Sequence, residues 1–400
     1  MNTVRRVMLV IGLIAVLAVG VSAQEAVAEA NLVDACVENY DPAVDYFPAK
    51  AEIEYAENFS VEYFNNYKVV TILPWPGAEA PQTYVLVQCG TPAPEGFEDA
   101  VTVEVPVQRF VAMATTILPA LEAQGVLDRL IGVDTTLFTS SEAVLEMAEA
   151  GDVAEIGGGG SGGDINMELL LSLEPDLVMA QEFFAGGTTL DQLQTAGVTA
   201  VLNGDYADTS PLGQAEWGKY VSLFFNTEAE ASDVFAGVAE RYEALTVLTA
   251  GVEERPTAIA ASPYSGTWYM PGADSTIAQL IADAGADFLF ADQPGTSVPL
   301  DFEVVFERGA EAEFWVNANQ FWATTEQMLA DDSRFEGFAA VANGNVWNNN
   351  KRMNANGGSD YFESGAANPD VILADLISIF HPDLLPDHEL VYYQRLGAAQ

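Results

Sequence analysis

The residues best suited to chemistry lie in loops rather than in motifs. Tyr264, Trp268, Tyr269, Trp322 and Trp347 stand beside Gly, Asn and Pro in the C-terminal half, with Tyr361 following. Phe183 and Phe184 follow a strand-like run that ends near Ala180. Aromatics in loops after strands suit a large flat or conjugated ligand; the other reading is core packing. Lys351-Arg352 is one of two adjacent basic pairs, the other being Arg5-Arg6. It suits an anionic ligand group or a neutralising surface pair. Cys36 and Cys89 point to one disulfide in an oxidising compartment.

Other patterns exclude chemistry. Gly157 to Gly163 contains six Gly and one Ser, but no Lys-Ser/Thr follows, so it reads as a connection rather than a phosphate loop. His381 and His388 lack Cys or further His for a metal site. Gly-x-Ser-x-Gly spacing occurs only within that glycine run, at Gly159 to Gly163, with no strand leading directly into it as a nucleophile elbow needs, and neither His sits where a general base is needed. We therefore expect no catalytic residues, no metal and no cofactor. The charge of −45, from 59 acidic and 14 basic residues, excludes nucleic acid as a partner.

The elements that must position these residues alternate. Arg5-Arg6, the apolar run Val7 to Val21 and Val21-Ser22-Ala23 predict a signal peptide over 1–23 and export to a periplasmic or cell-surface location; an uncleaved anchor is the other reading. Residues 24–104 read as a β-rich module, with strand-like runs from Phe59 and Thr83. Strands and helices then alternate over 105–226, predicting parallel βα units. Residues 227–250 predict one long helix, opened by a capping box of Thr227 and Glu230. Alternation resumes over 251–400, with Phe288 to Asp292 among its strands. The halves echo each other: Asn166-Met167-Glu168 and Asp301-Phe302-Glu303 open corresponding short helices. Two α/β lobes joined by one helix would hold a ligand in the cleft between them.

Several segments in this order resemble the substrate-binding proteins that capture iron-siderophores, haem or cobalamin for ABC importers. They are Asn166 to Met179, Gly266 to Ser275, Leu280 to Asp287, Leu300 to Phe306 and His381 to His388. The resemblance spans about residues 105–396 and leaves the N-terminal module out. It implies a class III periplasmic binding fold, two Rossmann-like lobes on a rigid helix. It implies that Glu168 and Glu303 dock onto a permease, one per lobe. It also implies a monomer that binds an iron complex or corrinoid, for which the residues themselves offer Phe183, Tyr264, Trp268, Tyr269, Trp322, Trp347, Lys351 and Arg352 as candidate contacts. An exported sensor or adhesion protein reusing the fold, and an exported α/β enzyme, are the alternatives.

Overall fold

The computed structural model describes residues 26–28, 30–73, 81–158, 163–182 and 188–397. The expected signal peptide and the predicted contact Phe183 lie outside them.

Two parallel sheets organise the chain. The first runs Ala154–Glu155, Leu130–Val133, Phe110–Ala112, Leu177–Gln181, Ala200–Asn203 from edge to edge, all parallel. In chain order these strands rank 3-2-1-4-5. Leu177, Val178 and Met179 are fully buried, as a central parallel strand must be, and so are Ala200, Val201 and Leu202 of the edge strand. The second sheet runs Asp287–Phe288, Thr257–Ala260, Phe314–Val316, Val346–Asn348, with Gln394–Arg395 antiparallel at the edge. Its rank is 2-1-3-4-5. Leaving out the edge strand Ala154–Glu155, which has no counterpart in the second sheet, the first sheet also ranks 2-1-3-4, so the echo between the halves extends to strand order. Of the expected Phe288 to Asp292 strand only Phe288 pairs, together with Asp287 before it, because the chain turns at Leu289.

A reversal of strand order opens a crevice at the carboxyl ends of such sheets. In the first lobe it lies between Phe110–Ala112 and Leu177–Gln181. In the second it lies between Thr257–Ala260 and Phe314–Val316. Ala261 and Asn317, just past the second pair of strands, have φ of 58° and 48°. Non-glycine residues rarely adopt that region, and such strain gathers at ligand sites.

Between the sheets in sequence lie helices Pro211–Ser222 and Glu228–Thr249. The first was not predicted, although Ser210-Pro211 is a strong start signal: Ser210 caps Gly213 N–H at 2.9 Å and Pro211 opens the helix. The second starts without the expected capping box. The Thr227 hydroxyl instead donates to Gln124 Oε1 at 2.8 Å, tying the helix to the first lobe.

The N-terminal segment forms strands Phe59–Tyr63, Tyr67–Ile72, Gln82–Gln88 and Val101–Val105 in one sheet. The Cys36–Cys89 disulfide is present. This sheet's apolar face is continuous with the first lobe's core, from Phe47 and Val70 through Phe110 to Phe225. The segment also braces both helices. Lys68, fully buried, donates to Leu223 O at 2.7 Å and Asn226 Oδ1 at 2.9 Å and pairs with Glu228. The Glu216 carboxylate accepts from the backbone N–H of Glu54, Tyr55 and Ala56, at 2.7–3.1 Å, and pairs with Lys219 at 2.8 Å. Buried charges met by this many partners hold the helices to the sheet.

Candidate functional site

A cavity of about 530 Å³ lies between the lobes. One wall is the carboxyl ends of the first sheet: Thr115 and Thr116 after Phe110–Ala112, Gln181 and Asn203 ending their strands, and Asp205 after Ala200–Asn203. These flank that lobe's switch point. The opposite wall comes from 361–372 of the second lobe, including Tyr361 and Phe362. Helices Pro211–Ser222 and Glu228–Thr249 add Trp217, Val234 and Phe235. The volume falls within the 300–1,000 Å³ usual for small-molecule sites, and the mostly apolar lining suits one.

The polar groups converge at one end. Asp205 Oδ1 accepts from Gln181 Nε2 at 2.9 Å and from Tyr206 N–H at 2.7 Å. Burial pushes its carboxyl above the usual range, against the pull of these hydrogen bonds. Asn203 is buried and its Oδ1 has no hydrogen-bond partner. A buried acceptor without a donor is costly, so a ligand N–H or O–H here would be favoured.

Two loops beside the cavity join the lobes. Glu363 follows Phe362 and is only 3 % exposed. Its carboxylate accepts from Thr139 Oγ1–H at 3.0 Å, Ser140 N–H at 2.8 Å and Ser141 N–H at 3.0 Å, all across the lobe boundary. Asn354 Nδ2 donates to Leu137 O at 2.9 Å and Thr139 O at 3.0 Å. Gly358 permits this approach, since a Cβ there would stand 2.2 Å from Phe138 O. Burial pushes the Glu363 carboxyl up to about 7, with Asp360 adding to the rise.

The predicted contacts do not gather at this cavity. Trp268 is 0 % exposed and stacks on Trp315, ring centroids 5.3 Å apart. Its strand, Thr267–Pro271, is covered by pairing with Ser297–Leu300 and packing on Phe335 and Phe338. Trp268 is thus a core residue, not a ligand contact, and so is Trp322, whose Nε1 donates to Asp331 at 2.5 Å. The Trp268 and Trp315 indoles donate to Ala260 O and Ala261 O, at 3.0 and 2.7 Å. They fix the strained strand end rather than touching the cleft. Tyr264 and Tyr269 are exposed on the antiparallel hairpin Pro263–Tyr264/Thr267–Pro271, away from the cavity lining. Trp347 is half-buried in its strand and does not line the cavity. Lys351 Nζ is bound to Leu390 O, and Arg352 pairs with Asp360 at 2.7 Å; neither lines the cavity. Tyr361 does line it. Sequence reasoning missed Gln181, Asn203 and Asp205, though polar residues directly after buried strands were the available signal.

Glu168 and Glu303 are each the second residue of a helix, Met167–Ser172 and Phe302–Gly309, and both are exposed. Asn166 caps the first helix by accepting from Leu169 N–H at 3.1 Å. Glu303 stands 3.4 Å from Arg334, whose guanidinium lies 3.8 Å over the Phe302 ring and also pairs with Asp332.

Comparison with known proteins agrees with this architecture. The family model described as "Periplasmic binding protein" matches residues 111–351, more than half of the chain. An uncharacterized lipoprotein of Methanocaldococcus jannaschii is 24 % identical over 357 residues, covering 83 % of this chain and 82 % of its own length. A possible iron-binding, periplasmic solute-binding protein of Staphylococcus epidermidis superposes with TM-score 0.54 at 15 % identity, over 69 % of this chain and 99 % of its own. A periplasmic haem-binding protein of Pseudomonas aeruginosa gives TM-score 0.53 at 16 % identity, over 74 % and 99 %. With two α/β lobes and a cavity between them, the chain belongs to the periplasmic binding protein family.

Proposed function

We propose that the protein is an extracytoplasmic, non-catalytic solute-binding component of an ABC importer. It captures an iron complex or a corrinoid in the interlobe cavity and delivers it to a permease. The observation that carries this reading is the cavity itself, which meets the first lobe's switch point on one side and Tyr361 on the other. The fold likeness to iron- and haem-binding proteins supports the cargo class. Glu168 and Glu303, exposed at equivalent helix positions, support docking: one carboxylate per lobe can meet one basic pocket per permease subunit through charge-assisted bonds.

Uptake of a radiolabelled ligand by host cells tests the docking step. Changing Glu168→Ala and Glu303→Ala together is expected to reduce uptake at least about tenfold, with affinity of the isolated protein retained. Undiminished uptake would remove these residues from docking.

A further inference from the structure

The cavity wall carries one kind of charge. Asp205 is the sole charged residue among the described residues lining it. The buried acceptor Asn203 Oδ1 stands on the same wall without a donor. Among the described residues, no Lys, Arg or His contributes to the lining.

Among the described residues, every Lys and Arg is engaged. Lys50, Lys68, Lys219, Arg129, Arg241, Arg255, Arg308, Arg334 and Arg352 pair with carboxylates. Arg109, Lys351 and Arg395 are bound to backbone carbonyls. Lys219 does sit over the Phe235 ring, 4.4 Å from its centroid, but Glu216 neutralises it. By sequence, residues 74–80, 159–162 and 183–187 hold no Lys or Arg either. An anionic ligand would enter an acceptor-lined, low-dielectric cavity with no cation to meet it, inside the field of a chain of charge −45. A cation would meet Asp205 in a lining that includes Trp217 and Tyr361.

We infer that the cavity selects an uncharged or cationic ligand rich in hydrogen-bond donors, with Asp205 as its charge partner, and discriminates against anionic ligands. This rests on the reading of the cavity as the capture site. Among iron complexes it favours hydroxamate-type chelates over haem and carboxylate chelates.

The test is fluorescence titration of the full-length protein at fixed ionic strength. The probes are ferrioxamine B (cationic), ferrichrome and cyanocobalamin (uncharged), haemin and ferric citrate (anionic), and metal-free deferoxamine (cationic). An uncharged or cationic probe should bind at least about tenfold tighter than any anionic one. Asp205→Asn should lower the ratio of cationic to uncharged affinity by about tenfold, the worth of one hydrogen bond to a charged group. Gln214→Lys, on a half-buried lining position, should shift the same ratio the same way if the first variant does not fold. Tightest binding of haemin or ferric citrate overturns the inference and leaves the transport reading standing. Binding of deferoxamine but of no iron complex or corrinoid upholds the charge selection and sinks the cargo proposed above. If no probe binds, both fall.

Discussion

Glu363→Gln should abolish a pH dependence of stability that the lobe boundary builds in. Glu363 lies nearly buried between the lobes, and its carboxyl is raised from 4.5 to about 7, chiefly by burial. The folded protein then holds this proton more tightly than the unfolded chain does. The associated stability is fully present below pH 4.5 and is lost as pH rises through about 7. The gap between 4.5 and about 7, at about 1.4 kcal/mol per pH unit, bounds the effect at about 3 kcal/mol. Three donors from Thr139, Ser140 and Ser141 offset part of the cost of ionisation and are already reflected in that value. Asp205, Asp208 and Asp283 are also raised by burial, so the diagnostic is the difference between wild type and variant. Urea unfolding followed by tryptophan fluorescence at pH 5, 6, 7 and 8 measures it. Wild type should lose more stability than Glu363→Gln across this range, by an amount approaching about 3 kcal/mol. Parallel pH profiles for the two proteins would refute the assignment of Glu363 as a buried titrating link between lobes.

Three further outcomes follow from the packing. Lys68→Met strands Glu228 as a buried unpaired charge and should cost about 3–5 kcal/mol, while Lys68→Met with Glu228→Leu recovers much of it; thermal unfolding compares them. Trp268→Ala should cost about 3–5 kcal/mol by opening a core cavity, read by urea unfolding. Replacing both Cys36 and Cys89 by Ser should cost about 4 kcal/mol in the chain-entropy model, given a sequence separation of 53, measured against the oxidised wild type.

The alternation of strands and helices was legible because each signal is local. Gly125, Gly197 and Gly285 follow helices with φ of 72°, 81° and 80°, the left-handed geometry that ends a helix at glycine. The terminal helix, Pro369–Phe380, and the short helices carrying Glu168 and Glu303 were read from the same kind of pattern. The cavity was not legible, because its walls come from residues far apart in sequence. Trp268 stands beside Gly266 and looks loop-like locally; pairing with Ser297–Leu300 and stacking on Trp315 bury it. Lys351 and Arg352 look free in sequence, and Leu390 and Asp360 occupy them in space. Glu363 gives no local sign of its role, since its three donors lie over 220 residues away. The N-terminal segment's bracing of Glu216 and Glu228 is equally non-local.

The central claim is that the interlobe cavity carries an iron complex or corrinoid outside the cytoplasm. Native mass spectrometry and the visible absorption spectrum of protein purified from its own host test it most directly. The account predicts a non-covalent adduct containing iron or cobalt, with a matching visible band, released on unfolding. A colourless protein with no metal adduct, which also binds no iron complex or corrinoid on titration, would contradict it.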